Sequence, residues 1–219
     1  MVIKKLKGHS GCKILLCEEN NKKFVRKISH SSSYNNRLRL QMEKQKNFHN
    51  KVLKTPKVLS VGYDDNGNFY FDMEYIGGVS LSRYIGTSDI NNSKEIVGKL
   101  LNFCISNKTE NFNCFDAVNK KLLGMNFSKD TQFFEKFKRY CMSCDWSSVP
   151  SGFCHGDLTF ENIIVYKSDL YLIDFLDSFL KSPHIDISKM LQDLLVMWSW
   201  RDENVAPFIK NIILYDELI

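Results

Sequence analysis

His155-Gly156-Asp157-Leu158-Thr159-Phe160-Glu161-Asn162-Ile163-Ile164-Val165 decides how the chain is read, together with Leu170-Tyr171-Leu172-Ile173-Asp174-Phe175. A loop of small and polar residues feeds an apolar, β-branched run. A short turn at Lys167-Ser168-Asp169 follows, and then a second apolar run that ends in an acid. This pattern predicts a polar loop, a hairpin, and a carboxylate at the hairpin's exit. It brings Asp157, Asn162 and Asp174 to where they can converge on one point. Ordinary turn acids on a polar hairpin are the plainer account of the same residues.

The trio suits phosphoryl transfer. One Asp orients an attacking hydroxyl and accepts its proton, while an Asn and a second Asp offer hard oxygen ligands to Mg²⁺ against nucleotide phosphates. The spacing Asp157-x4-Asn162 is that of a phosphotransferase catalytic loop. Asp157 is therefore the candidate catalytic residue, and Asn162 and Asp174 are the candidate metal ligands.

These residues resemble the aminoglycoside phosphotransferase and choline kinase group of small-molecule kinases, whose loop reads His-Gly-Asp-Leu-x-x-x-Asn. RIO-type atypical protein kinases are also similar. The resemblance implies a two-lobed, protein kinase-like α+β fold. Residues 1–76 would form an ATP-binding lobe, an antiparallel sheet with one helix, and residues 77–219 a mainly helical catalytic and acceptor-binding lobe. It implies ATP and Mg²⁺ as cofactors and a small molecule with a hydroxyl group as acceptor. Thr159 stands where eukaryotic protein kinases usually carry Lys, which favours the small-molecule group. After Asp174 the chain reads Phe175-Leu176-Asp177, without the Gly of Asp-Phe-Gly. No Ala-Pro-Glu segment follows.

Composition agrees with a globular chain. Of 219 residues, 43% are hydrophobic and 25% charged, so the sequence is not of a disordered type. No apolar run approaches the roughly 18 residues of a membrane span, and no signal peptide is read at the N-terminus. The seven Cys are odd in number and scattered, which suits a reducing cytoplasm better than a disulfide framework. Residues 1–60 hold 15 Lys and Arg against 3 acids, a balance of +12, and the remainder balances at −7. A basic first segment suits a polyanion such as ATP. Nucleic acid is the less expected partner.

Val2–Lys7, Lys13–Cys17 and Phe24–Ile28 read as three strands, with Gly8-His9-Ser10-Gly11 as the first connection. In the kinase reading Gly8, Ser10 and Gly11 let backbone N–H groups approach phosphates; an ordinary hairpin turn fits equally. Strand alternation puts Val25 and Lys27 on one face. By resemblance, Val25 covers adenine and Lys27 grips the phosphates. A helix follows over 34–49, and Glu43 is the one acid between Glu19 and Asp64. A Lys27–Glu43 pair is expected; pairing of Glu43 with Arg39 or Lys46 along the helix is the local alternative.

Met73-Glu74-Tyr75-Ile76-Gly77-Gly78 is similar to a kinase hinge, which implies that the Glu74 carbonyl and the Ile76 N–H face the base. Helices are expected over 93–106, 112–125 and 131–146, with most aromatics of the last in the core, and again over 206–218. His155 is expected to support the loop. Asp186, in the first turn of a helix, suits the positive helix end, and by resemblance it braces the loop. The Asp174–Trp200 stretch is also similar to bacterial kinase-like proteins of surface-polysaccharide synthesis, which implies a sugar or sugar-derived acceptor. A RIO-like protein kinase and a nucleotide-binding pseudokinase scaffold are the alternatives.

Overall fold

The computed structural model describes residues 1–6, 11–125 and 131–216. Val2–Leu6 (β1), Lys13–Glu19 (β2) and Lys22–Ile28 (β3) precede one helix, Asn35–Lys46 (α1). Leu53–Lys54 (β4), Val58–Tyr63 (β5) and Phe69–Glu74 (β6) follow. Five of these strands form an antiparallel sheet in the order β1-β2-β3-β6-β5. Asp64-Asp65-Asn66-Gly67 closes the β5–β6 connection; the Asp64 carboxylate accepts the N–H groups of Asn66 and Asn68, as expected of an Asx turn. Leu38, Gln41, Met42 and Gln45 are the buried residues of α1. Leu38 and Met42 meet Leu16, Val25, Phe71 and Met73 of the sheet in one cluster.

Beyond β6 come Val79–Ser80 (β7), Leu81–Thr87 (α2), Ile90–Ser106 (α3), Lys108–Phe112 (β8), Phe115–Leu123 (α4) and Thr131–Ser143 (α5). The chain continues with Val149–Gly152 (β9), Ile163–Tyr166 (β10), Asp169–Leu172 (β11), Pro183–Val196 (α6) and Phe208–Asp216 (α7). Asp89 caps α3 through its carboxylate and the Asn92 N–H, which starts this helix three residues before the first residue expected of it. α3 and α6 carry the main core, where Val97, Leu100 and Met190 are wholly buried with Leu158, Phe160 and Phe175 of the loop region.

Three features depart from the expected elements. The helix expected over 112–125 begins only at Phe115, because Lys108–Phe112 pairs with Val149–Gly152 as a two-stranded sheet. The expected hairpin of β10 and β11 is joined by β7 on one side and by a parallel β4 on the other. The aromatics of α5 are not core: no residue of α5 is buried, and Phe133 and Tyr140 are 65% and 70% exposed.

The two halves are tied by residues at the end of α1. Phe48 packs on Phe103, Phe153 and Phe175 at ring-centroid distances of 5.8, 5.3 and 5.5 Å. Gly78 fixes the other crossing, since a Cβ there would lie 2.3 Å from the Val165 carbonyl oxygen. Among the described residues no helix is long and apolar enough to cross a membrane.

Candidate active site

The polar loop is built by one helix. Ser182 caps α6 and Pro183 occupies its first turn, both standard for a helix start. On a helix of about 3.6 residues per turn, positions i, i+3 and i+7 share a face. Asp186, Lys189 and Asp193 stand at those positions, and they meet the loop in sequence order. The Asp186 carboxylate accepts the N–H groups of His155 at 2.5 Å and Gly156 at 2.8 Å. Lys189 Nζ lies 3.1 Å from Asp157 Oδ1. The Asp193 carboxylate accepts the N–H of Phe160 at 2.5 Å and that of Ser199 at 2.8 Å.

Burial raises the Asp186 carboxyl to about 6, against the pull of the two N–H groups. Asp193 is raised to about 6 for the same reason. Both acids remain useful because backbone N–H groups buried in a loop need acceptors.

His155 is fully buried. Its Nδ1 accepts the Asp157 N–H at 3.3 Å, so Nε2 carries the hydrogen and donates to the Ile173 carbonyl at 2.9 Å. Desolvation, aided by Lys44, lowers its pKa to about 4 and keeps the ring neutral. The histidine thus links the loop to the segment after β11 that carries Asp174. Gly156 sits at φ +94°, and a Cβ there would come within 2.4 Å of the Leu176 carbonyl oxygen. Gly156→Ala is expected to destabilise the protein by about 2 kcal/mol or more, from left-handed strain plus that clash. Thermal unfolding checks it, and an unchanged midpoint would refute the packing argument.

The Asn162 amide nitrogen donates to the Asp157 carbonyl at 2.9 Å and to Asp157 Oδ2 at 3.0 Å. This pair of hydrogen bonds from the amide nitrogen to one residue turns the amide oxygen the other way. Asp174 has φ +63°, which swings it out of the strand line. It shares a polar cavity with Asp157, Asn162, Glu161, Lys189 and Glu203, edged by Trp198. It also borders a second, apolar cavity lined by Val25, Lys27, Phe71, Met73, Glu74 and Ile76. Asp174 therefore stands where the two spaces join. The Asn162 oxygen and the free Asp174 oxygen fit a hard divalent cation by donor chemistry.

Lys27 is 3% exposed and pairs with Asp174 Oδ1. The expected Lys27–Glu43 pair is not made. Position 43 lies about 200° around the helix from position 41, so Glu43 faces outward and is exposed. Gln41 occupies the inward position instead, with its Oε1 3.5 Å from Lys27 Nζ. Gly8 and Ser10 lie outside the described residues. Gly11 is exposed at φ +74° and borders neither cavity.

Sequence reasoning also missed Lys44, half-buried on the flank of α1. Its Nζ donates to the carbonyls of Leu176 at 2.6 Å and His155 at 3.3 Å. Burial lowers its pKa. Lys44 thus fastens α1 to both sides of the site. Asp193 was detectable in principle, as an acid seven residues after Asp186 between the apolar Met190 and Leu194. Lys44 left no such signal in a stretch rich in cations.

A two-lobed α+β fold with a carboxylate–amide–carboxylate cleft between its halves is a protein kinase-like architecture. Residues 126–217 match the family described as the phosphotransferase enzyme family, APH; this span contains Asp157, Asn162, Asp174 and Asp186. The whole chain resembles a thermostable mutant of aminoglycoside phosphotransferase APH(4)-Ia in a ternary complex with ADP and hygromycin B. That match has 12% identity over 98% of this chain and 88% of the other, with a TM-score of 0.61. A second mutant of that enzyme, with AMP-PNP and hygromycin B, gives 0.63 at 11% identity over 98% and 83%. At such identities the likeness establishes the fold. No curated protein matches the sequence.

Proposed function

We propose that the chain transfers the γ-phosphoryl group of ATP to a hydroxyl of a small molecule. The observation that carries this is the position of Asp174 at the junction of an apolar, hinge-lined cavity and a polar cavity holding Asp157 and Asn162. In this reading residues 1–76 hold the nucleotide and residues 77–219 hold the acceptor. Val25 and Ile76 enclose adenine, and the Glu74 carbonyl and Ile76 N–H face its edge. Lys27 holds the phosphates. Asn162 and Asp174 would hold Mg²⁺, which when bound neutralises charge between the phosphates.

Asp157 orients the acceptor hydroxyl and takes its proton. The acceptor oxygen then bonds to phosphorus as the bond to the ADP oxygen breaks. No covalent enzyme intermediate is formed; positioning and charge complementarity supply the acceleration. The APH match and the fold support a small-molecule phosphotransferase. A sugar or sugar-derived acceptor is the finer reading, supported by the half-exposed Trp198 beside the carboxylates of the polar cavity; Arg201 covers one face of the indole, and its exposed remainder beside polar groups suits a sugar ring.

The test is ADP production from Mg·ATP with a panel of sugars, amino alcohols, nucleosides and aminoglycosides. Stimulation by at least one hydroxyl acceptor, with the phosphate found on that acceptor, is the expected result. Nucleotide binding with no turnover on any member would instead favour a binding scaffold.

A further inference from the structure

We propose that Lys189 is a further catalytic residue, the cation that holds the transferring phosphoryl group from the acceptor side. The inference rests on the phosphotransferase reading above. Asp157, Asp174, Glu161 and Glu203 all border the polar cavity. A phosphoryl group in flight spreads negative charge over three oxygens, so an unrelieved ring of carboxylates opposes it. The loop from Gly156 to Asn162 contains no cation. Lys27, paired with Asp174, lies on the nucleotide side. Arg201 is paired with Glu161. Lys189 supplies the positive charge beside Asp157.

Its geometry is built rather than incidental. α6 is pinned to the loop on both sides of Lys189, by Asp186 at His155 and Gly156 and by Asp193 at Phe160. The side chain between those two pins is thereby aimed at Asp157. Lys189 is 33% exposed and Asp157 25% exposed, so both face the cavity and not the core. An ammonium group has three hydrogens, and the ion pair with Asp157 Oδ1 leaves hydrogens for the cavity.

During transfer the acceptor oxygen bonds to phosphorus, the bond from phosphorus to the ADP oxygen breaks, and that oxygen keeps the electron pair. The acceptor proton passes to Asp157. Lys189 gives up no proton. As Asp157 is neutralised, the ammonium loses its anionic partner and its attraction shifts to the phosphoryl oxygens. The cation paired with Asp157 before transfer is thereby released to the product side as transfer proceeds.

Calorimetric titration of Lys189→Met with two probes tests this. One probe is Mg·AMP-PNP, and the other is Mg·ADP with fluoroaluminate and an acceptor identified by the panel, or water where none is found. AMP-PNP should bind as in the wild type. Fluoroaluminate should tighten ADP binding to the wild type, and Lys189→Met should lose about tenfold or more of that gain, the worth of a charge-assisted hydrogen bond. Lys189→Arg should regain most of it. The turnover of Lys189→Met should fall by about 10²-fold, as when one donor to a transition-state oxyanion is removed.

If fluoroaluminate tightens binding equally in the wild type and Lys189→Met, the ammonium serves only to hold Asp157 and the proposal fails, while the phosphotransferase reading stands. If it does not tighten binding even in the wild type, that reading fails and the proposal falls with it.

Discussion

Asp157→Asn is expected to lower the turnover of Mg·ATP-dependent phosphoryl transfer by about 10²- to 10⁴-fold, the range contributed by a positioned general base. The amide keeps the volume of the carboxylate, and its oxygen can still accept one bond. It can no longer take the acceptor proton, and it leaves Lys189 without its anionic partner. The apolar cavity does not include residue 157, so the dissociation constant for AMP-PNP should change by less than about threefold, under 1 kcal/mol. Steady-state turnover and equilibrium binding on the same preparation check both halves. Turnover within about threefold of the wild type would remove Asp157 from the chemistry. A parallel loss of nucleotide binding would mean that the substitution had disturbed the loop as a whole.

The parts of this site that lie close together in sequence were legible before the fold was known. Asp157, Asn162 and Asp174 are joined by one loop and one hairpin, whose turn chemistry is local. Strand alternation was enough to place Val25 and Lys27 on one face, and both are buried there. Asp186 could be placed at a helix start, and the structure shows its carboxylate on the loop N–H groups. The partner of Lys27 was misread because charge was weighed ahead of helical phase. Leu38, Met42 and Gln45 mark the inward face of α1, and Gln41 lies on it while Glu43 does not.

Lys44 and Lys189 were missed for a different reason. A lysine on a helix is ordinarily solvated, and only the tertiary contact with a distant loop gives these two their partners. The same holds for the pairing of β8 with β9, where Lys108-Thr109-Glu110-Asn111-Phe112 is polar and nearly all exposed. Such a strand forms because its partner is brought alongside, and its own pattern does not announce it.

Asp186→Ala should be the most damaging single change to stability outside the apolar core. It leaves the His155 and Gly156 N–H groups without their acceptor in a buried setting, at about 1–3 kcal/mol each. Removal of the carboxylate's own desolvation cost offsets part of this. A net loss of roughly 2–4 kcal/mol corresponds to a fall in Tm of about 5–15 °C for a chain of this size. The pH dependence separates this account from a general packing defect. The Asp186 carboxyl is raised from 3.8 to about 6 in the folded protein. Between about pH 6 and 4 the folded state therefore holds a proton that the unfolded state has released, and this group favours folding as the pH falls. Asp193 acts in the same direction over the same window. His155, lowered from 6.5 to about 4, acts in the opposite one. Two acids against one histidine leave a net uptake of about one proton on folding, so these three groups together raise stability on acidification from pH 6 to 4. In Asp186→Asn one acid and the histidine cancel. The stability advantage of the wild type over Asp186→Asn should consequently widen as the pH is lowered from 7 to 4, measured by urea unfolding at each pH. A gap that narrows on acidification would show that Asp186 titrates below its usual range, as a carboxylate dominated by its two N–H donors would, and not above it.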